Sequence, residues 1–255
     1  MGKNPFDLTS KVALVTGAGR GIGRACAVAI AQAGADVALV ARNRLELEAV
    51  AREIVSLGQR AFVRPQDVTQ VEQLPGLMED VVLNLGGLDI LVNNAGMNKP
   101  QEALEVTPEA WDQIMNLNLR AAFFTAQAAG RVMIEKGRGG RIINLTSQTG
   151  TLALVKRSAY CASKGGLNLV TKVLALEWAK YDILVNAVAP TFIETEFSHG
   201  FLSDPVFREY ALSKNLLKRF GTPEDVTGAV VYLASSAASL VTGHILSIDA
   251  GWTAH

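Results

Sequence analysis

Short apolar runs alternate with longer helical patterns from one end of the chain to the other. In the longer segments, apolar residues recur three and four positions apart, which is the spacing of a helix with one buried face. Strands that are apolar at nearly every position, separated by helices, predict a parallel sheet covered by helices on both faces. The predicted strands are residues 12–16, 36–40, 61–63, 90–92, 141–146, 183–189 and 245–248, and the predicted helices are residues 22–33, 45–57, 71–85, 111–135, 160–179 and 224–234.

No break in composition, low-complexity tract or proline-rich linker interrupts this alternation, so we predict a single α/β domain over residues 1–255. Residues 191–220 are less regular and form a long, irregular insertion after the sixth predicted strand. A long segment beside a ligand crevice is a candidate substrate lid. Its aromatic residues can equally be ordinary packing or subunit-contact residues.

Composition narrows the classes of function. Lys plus Arg and Asp plus Glu number 24 each, which leaves no electrostatic argument for a nucleic-acid or membrane-surface partner. No apolar segment is long enough to span a membrane, and the amino terminus lacks the pattern of a secretory signal, so we expect a cytoplasmic protein. Two cysteines, and three histidines outside any ligand motif, predict neither a disulfide framework nor a zinc site, and leave a carboxylate-bound magnesium open.

The first predicted strand leads into the glycine-rich sequence TGAGRGIG, residues 16–23. Its glycines at positions 17, 21 and 23 have the spacing G-x-x-x-G-x-G. Without side chains the backbone can approach a pyrophosphate, and the following helix offers free N–H groups and the positive end of its dipole. The turn predicts a dinucleotide site. The alternative is a glycine turn that serves only the packing of helix against strand.

The second predicted strand ends in the sequence ARN, residues 41–43, with no acid at its tip. An acid here would bind the ribose 2'-hydroxyl of NAD, whereas Arg42, together with Arg20 from the glycine turn, can pair with the 2'-phosphate of NADP. We therefore predict that NADP(H) is preferred over NAD(H), unless Arg42 only solvates a helix start. Asp67, after the third strand, can accept from the adenine amino group or cap the next helix.

Amide side chains mark two further positions. The fourth strand ends in Asn93-Asn94-Ala95-Gly96, and the carboxyl ends of parallel strands line the ligand crevice of open α/β sheets. Asn93 can equally be a structural turn residue. Asn118 lies inside a long helical pattern, and because Asn is a mediocre helix former, a buried one there predicts a hydrogen-bonding task or a local bend.

The sequence from Arg141 to Lys164 carries the candidate chemistry. Ser147 ends an apolar strand, and Tyr160 and Lys164 lie four positions apart at the start of a helical pattern, so their side chains share one helix face. A cation beside a phenol favours the phenolate and lowers the tyrosine pKa from its usual value of ~10. The three residues can form an acid/base site with Ser147 as a hydroxyl donor. The alternative is an amphipathic core tyrosine beside a solvated lysine.

These motifs occur together and in order, and the chain resembles the short-chain dehydrogenase/reductase family over nearly its whole length. It most resembles members of the gluconate 5-dehydrogenase type and the 3-oxoacyl-acyl-carrier-protein reductases. The resemblance implies a Rossmann-like, doubly wound sheet of seven parallel strands, and a homotetramer. It also implies that Tyr160 donates or accepts the proton, that Ser147 orients and polarises the substrate oxygen, that Lys164 binds the nicotinamide ribose and lowers the tyrosine pKa, and that Asn118 holds a water in the proton relay.

One position departs from the family's pattern. Where the family commonly has Pro-Gly after the sixth strand, this chain has Pro190-Thr191, and Thr191 has less backbone freedom than glycine. Thr195 stands where the family contacts the nicotinamide carboxamide. The predicted cofactor-binding residues are Gly17, Gly19, Arg20, Gly21, Ile22, Gly23, Arg42, Asn43, Asp67, Val68, Asn94, Ala95, Gly96, Tyr160, Lys164, Pro190, Ile193 and Thr195.

The substrate is the least determined part of the prediction. Lys99, Lys156 and Arg157 can meet a substrate carboxylate, but we favour surface charges for all three. Arg138 suits a carrier-protein docking patch, whereas Tyr181 stands where such reductases tend to carry a second arginine. We predict an NADP-dependent oxidoreductase for a small polyol, sugar acid or keto compound. The alternatives are a 3-oxoacyl thioester reductase and a nucleotide-sensing protein without turnover.

Overall fold

The structure is a computed structural model that describes residues 4–254. Within this range seven strands form one sheet, in which every neighbouring pair is parallel. The strands are β1 (Val12–Thr16), β2 (Asp36–Ala41), β3 (Ala61–Pro65), β4 (Ile90–Asn93), β5 (Gly140–Leu145), β6 (Ile183–Pro190) and β7 (Ile245–Ile248). Their order is β3-β2-β1-β4-β5-β6-β7, and the predicted doubly wound, Rossmann-like α/β domain is confirmed.

Helices cover both faces of the sheet. They are α1 (Gly21–Gln32), α2 (Arg44–Ser56), α3 (Leu74–Leu85), α4 (Pro108–Met115), α5 (Ala122–Lys136), α6 (Ser158–Trp178), α7 (Glu196–Leu202), α8 (Pro205–Lys214) and α9 (Pro223–Ala234). Local sequence signals set several of their ends. Thr107 caps α4, which has Pro108 at its first position, and α3 ends at Gly86 in the left-handed conformation, as capping preferences predict.

The alternation of side chains along each strand explains the continuous apolar runs. In β1, Ala13 and Val15 pack with α1, α2 and α9 on one face, while Val12 and Leu14 pack with α3, α5 and α6 on the other. Because both faces are buried, both sets of alternating positions are predominantly apolar. No helix between residues 4 and 254 has the length and hydropathy needed to cross a membrane.

Two regions differ from their predictions: one predicted continuous helix is interrupted, and one predicted irregular segment contains helices. The predicted helix over residues 111–135 is interrupted by a π-helix at Asn116–Ala121, between α4 and α5. The predicted irregular insertion over residues 191–220 contains α7 and α8, so the prediction of an irregular segment is wrong there. Thr195 begins α7 through a capping box, and Asp204 caps α8, which starts at Pro205.

The strand order reverses between β1 and β4, since the chain first runs outward through β2 and β3 and then crosses back over β1. In open α/β sheets, ligands bind at the carboxyl ends of the strands beside such a reversal. The glycine-rich turn follows β1 and the predicted Asn-Asn-Ala-Gly motif follows β4. The topology therefore brings these two motifs to one crevice.

Candidate active site

The glycine-rich turn joins β1 to α1 and has no room for side chains. Gly17 and Gly21 adopt positive φ angles of 64° and 53°, which favour glycine. A Cβ atom at Gly23 would overlap the Gly17 carbonyl oxygen and the Asn94 amide nitrogen. No side chain caps the first turn of α1, which carries no acidic residue, so its N–H groups remain available to an anion.

Asn94 fastens this turn to the end of β4. Its Nδ2 donates to the carbonyl oxygens of Thr16, at 3.0 Å, and Gly17, at 3.2 Å. The backbone N–H groups of Asn94 and Ala95 both donate to the Thr16 hydroxyl. The Asn94 side chain therefore holds the backbone of the glycine-rich turn in place. Its Nδ2 atom bonds to the protein itself.

The carboxyl end of β2 presents one unpaired cation. Arg42 is exposed, and no ion pair holds its guanidinium within residues 4–254. Asn43 caps α2, because its Oδ1 accepts from the N–H groups of Leu45 and Glu46. Arg42 thus projects next to a capped helix start and is free to meet an anion.

Two carboxylates, those of Glu196 and Glu46, lie close to the glycine-rich turn at this end of the crevice. Arg20 forms an exposed ion pair with Glu196 of α7, at 2.8 Å. A Cβ atom at Gly19 would lie 2.7 Å from Oε2 of Glu46, so a carboxylate lies against the glycine-rich turn. Arg20 contacts α7 in this structure, and its predicted contact with the 2'-phosphate, beside Arg42, stays a prediction.

The segment after β3 contains two predicted cofactor-binding residues. Asp67 accepts from the N–H and the hydroxyl of Thr69, at 2.9 and 2.7 Å, and therefore caps this turn and not the start of α3 at Leu74. Val68 is buried against the core. Gln66 is also buried, and both polar atoms of its amide lack a hydrogen-bond partner.

Ser147, Tyr160 and Lys164 converge at the carboxyl end of β5. The Lys164 ammonium donates to the carbonyl oxygen of Leu145 at 2.7 Å and lies 5.7 Å from the centre of the Tyr160 ring. Ser147 accepts from the N–H and the hydroxyl of Thr149, which leaves its own proton to donate. Ser147 and Tyr160 line one cavity, and Lys164 lies behind them.

Burial controls the proton affinities of this group. It raises the pKa of Tyr160 to about 12, while a hydrogen bond from Ser147 and the charge of Arg157 act in the opposite direction. Burial also lowers the pKa of Lys164 to about 8. The tyrosine pKa of the chain without cofactor is therefore raised and not lowered, and the lowering effect of Lys164 stays a prediction. Both groups lose water, so each neutral form is favoured.

Asn118 has the hydrogen-bonding task that its helical context predicts, and it lies in the π-helix. Its Nδ2 donates to the Met97 carbonyl at 2.9 Å and to the Ser163 hydroxyl at 3.1 Å, and its Oδ1 accepts from the Met97 N–H. Both donor positions are occupied, so the side chain joins the segment after β4 to α6. A Cβ atom at Gly96 would lie 3.3 Å from Asn118 Oδ1 and 3.7 Å from Lys164 Nζ.

The segment after β6 closes the cavity from the other side. Ile22, Pro190, Ile193 and Thr195 line it together with Ser147 and Tyr160. The Thr195 N–H donates to the Ser198 hydroxyl, at 2.9 Å, within the capping box of α7. Ile22 of the glycine-rich turn thus shares one cavity with the predicted nicotinamide contacts Ile193 and Thr195.

Comparison with known proteins agrees with this geometry. A family model described as enoyl-(acyl carrier protein) reductase matches residues 17–253. The 2-dehydro-3-deoxy-D-gluconate 5-dehydrogenase of Escherichia coli is 38% identical, over 98% of each chain. The D-threitol dehydrogenase of Mycolicibacterium smegmatis is 41% identical, over 97% of this chain and 95% of the relative. A crystal structure of gluconate 5-dehydrogenase from Burkholderia cenocepacia J2315, in complex with NADP and tartrate, is 34% identical, with a TM-score of 0.95 over 98% of both chains.

The chain belongs to the short-chain dehydrogenase/reductase family. The resemblance inferred from the motifs is confirmed, and with it the class of reaction. As a short-chain dehydrogenase/reductase, the protein is an NAD(P)-dependent oxidoreductase that interconverts a secondary alcohol and a ketone by hydride transfer.

Arg157 is the residue of this dehydrogenase that sequence reasoning placed wrongly. It was expected at the surface, yet it is only 6% exposed and lines the same cavity as Ser147 and Tyr160. Its neighbour Lys156 does behave as expected, since it is exposed and paired with Glu102 at 3.3 Å. Helical spacing gave no signal for this burial, because Arg157 precedes the first residue of α6 and its backbone is not helical.

Proposed function

We propose that this dehydrogenase uses Tyr160 as proton donor and acceptor, Ser147 to orient the substrate oxygen, and Lys164 to support both the tyrosine and the nicotinamide ribose. The observation that carries the proposal is the convergence of the three side chains at the end of β5, with two of them lining one cavity. An isolated core tyrosine and a solvated lysine do not explain a lysine that is 4% exposed.

The crevice fits a nicotinamide dinucleotide. The uncapped α1 terminus can receive the pyrophosphate, and Gly17 and Gly23 let the backbone approach it. Asp67 and Val68 would border the adenine, and Pro190, Ile193 and Thr195 the nicotinamide. When bound, this cofactor donates or accepts the hydride.

The protein residues handle the proton. In ketone reduction, Ser147 donates a hydrogen bond to the carbonyl oxygen, and the Tyr160 hydroxyl transfers its proton to that oxygen as an alkoxide develops. A tyrosine with a pKa of about 12 is protonated at neutral pH and can therefore donate its proton to the substrate oxygen. In alcohol oxidation Tyr160 must be a phenolate, which the Lys164 ammonium favours when it is charged. We propose that Asn118 orders water in the proton relay through its main chain, because its side-chain donors are occupied.

We propose that NADP(H) is preferred over NAD(H), because Arg42 is exposed at the tip of β2 and has no ion pair with any residue from 4 to 254. Arg42→Asp should raise the KM for NADPH at least tenfold more than the KM for NADH, since it removes a cation and adds a repelling anion beside the 2'-phosphate. Initial rates with each cofactor measure this. Arg44→Asp is the matched control, because Arg44 stands at the same helix start but pairs with Glu48. Equal changes in KM for NADPH and NADH would show that Arg42 does not determine the cofactor preference.

We propose a homotetramer. Leu169, Val173 and Leu176 form an exposed apolar stripe on α6, and Leu176 is 82% exposed. Contiguous apolar surface of this kind marks interaction sites. Light scattering measures the mass, and Leu176→Glu should produce a smaller species. A wild-type monomer would contradict the proposal.

For the substrate, we propose a small sugar acid or polyol. The Escherichia coli and Mycolicibacterium smegmatis relatives are named for a sugar acid and a polyol. We propose that residues 191–220, with α7 and α8, act as the substrate lid, because Phe192, Phe197 and Phe201 line the cavity. The description of the matching family model supports an acyl thioester as the second candidate.

A substrate panel distinguishes these candidates. Keto-sugar acids, small ketones and an acetoacetyl thioester are each mixed with NADPH, and its absorbance is followed. Turnover of keto sugars without turnover of the thioester is the expected result. Thioester reduction alone would replace the proposed substrate class. Absence of turnover with every substrate, in both directions and with both cofactors, would favour the nucleotide-sensing hypothesis.

A further inference from the structure

Arg157 is a buried cation in a place where the protein supplies no countercharge. The residue is 6% exposed and stands immediately before α6. Within residues 4–254 its guanidinium makes one hydrogen bond, from Nη1 to the carbonyl oxygen of its neighbour Lys156, at 3.4 Å. No carboxylate lies within ion-pair distance of it in this part of the chain. Buried charges in proteins are normally paired, so the missing partner requires an explanation.

The cavity that Arg157 lines is the one that contains Ser147 and Tyr160. Its wall also holds buried polar atoms without hydrogen-bond partners, namely both amide atoms of Gln148, Oδ1 of Asn98 and Oγ1 of Thr191. Orphaned polar atoms are rare in protein interiors. Several of them around one cavity leave donors and acceptors for a ligand that offers several hydroxyl groups.

Thr191 belongs to the position at which the chain departs from the family's Pro-Gly pattern. Its backbone N–H donates to the Ile248 carbonyl at 3.0 Å, so the main chain is held and the side chain is presented beside the cavity. A glycine at this position would offer no hydroxyl. The departure therefore adds a polar group to the substrate end of the crevice.

We propose that Arg157 is the specificity residue for a substrate carboxylate, and that Gln148, Asn98 and Thr191 bind hydroxyl groups of the same molecule, which is a polyhydroxylated acid. A planar guanidinium matches the two coplanar oxygens of a carboxylate, and a bound acid supplies the missing countercharge. This inference rests on the proposed function, because it assumes that Ser147 and Tyr160 act on the same molecule.

A purely structural role for Arg157 has one contact in its favour. The guanidinium lies 5.2 Å from the centre of the Phe201 ring in α7, a cation–π contact that can hold α7 against the cavity. Arg157 also acts on Tyr160 through its charge. Either effect would influence acidic and neutral substrates alike, whereas a carboxylate contact affects only acids. The two roles are therefore separable by matched substrates.

The test uses aldonates and the alditols of the same configuration, such as D-gluconate and D-glucitol, with the full-length enzyme and NADP⁺. Wild-type enzyme should prefer the acids in kcat/KM. Arg157→Gln should raise KM for the acids by about 100-fold more than KM for the alditols, while any loss through Tyr160 or α7 should be the same for both substrate classes. Arg157→Lys should recover part of the lost activity with acids, because lysine keeps the positive charge but lacks the planar guanidinium that binds both carboxylate oxygens. Lys156→Gln is the matched control and should behave as wild type.

Binding provides a second measurement that does not need turnover. D-gluconate should raise the thermal unfolding temperature of the NADP⁺ complex of wild type and of Lys156→Gln, but not that of Arg157→Gln. Equal losses for acids and alditols in Arg157→Gln would overturn the inference and assign Arg157 a structural role. Wild-type turnover of alditols or phosphate esters, without turnover of acids, would also overturn it while the proposed function stands. Absence of turnover with every alcohol would overturn the proposed function itself.

Discussion

Tyr160→Phe is expected to lower kcat by about 1,000-fold or more in both directions while NADPH still binds. The substitution removes only the phenolic oxygen, so the ring still packs near Lys164 and the crevice keeps its shape. Without that oxygen no side chain in the cavity can exchange a proton with the substrate oxygen in the same way, since Ser147 has no base beside it. Steady-state rates measure the loss, and a fluorescence titration with NADPH measures cofactor binding.

Tyr181→Phe is the matched control for this experiment. Tyr181 is 41% exposed and lies beyond the end of α6, so its variant should have wild-type rates. Retained turnover in Tyr160→Phe would remove Tyr160 as the proton donor. Loss of turnover accompanied by loss of NADPH binding would instead indicate damage to the site. The expected pattern would exclude a nucleotide-sensing protein without turnover.

Gly23→Ala is expected to weaken NADPH binding by about 100-fold or more and to destabilise the fold by about 1–3 kcal/mol. The added Cβ would overlap the Gly17 carbonyl oxygen, which belongs to the backbone of the turn, and the Asn94 amide nitrogen, which fastens that turn to β4. The carbonyl oxygen cannot move without the backbone, and the Asn94 side chain is held by its hydrogen bonds to the carbonyl oxygens of Thr16 and Gly17. The turn must therefore move away from α1, and the free N–H groups of the helix lose their position relative to the pyrophosphate.

Gly228→Ala provides the comparison. Gly228 lies within α9, and a Cβ there would meet no atom within 4 Å. Its variant should bind NADPH as wild type does and gain about 0.5–1 kcal/mol of stability, because alanine loses less backbone entropy in a helix. Isothermal titration and thermal unfolding measure both variants. Wild-type affinity in Gly23→Ala would show that the close packing of this turn is not required for cofactor binding.

The sequence predicts the sheet well because burial on both faces leaves a strong signal. Each strand of this sheet pairs in parallel, and helices cover both sides, so strand positions are apolar without alternation. Asn118 was also predictable, since a buried amide in a helix needs partners, and the structure supplies Met97 and Ser163. The π-helix that carries Asn118 was foreseen only as a local bend, because local propensity does not distinguish it from an α-helix.

Two features of the site that were not predicted have a shared physical origin. The burial of Arg157 depends on α7, whose Phe201 covers the guanidinium, and nothing in the sequence near Arg157 specifies that contact. The pKa of Tyr160 depends on how much water the surrounding residues exclude, and burial outweighs the nearby positive charge. Spacing along a helix predicts which groups meet. It does not predict the depth at which they meet.

The order of the strands also determines when β1 becomes complete during synthesis. β2 and β3 follow β1 closely in the chain, but contacts between β1 and β4 join residues 76 positions apart, as in Thr16 and Val92. At translation rates of about 5–20 residues per second, the β4-facing edge of β1 therefore stays unpaired for roughly 4–15 s. An apolar strand with an open edge is a template for aggregation. The nascent half-sheet of β1, β2 and β3 is thus expected to expose an aggregation-prone edge until β4 has been synthesised.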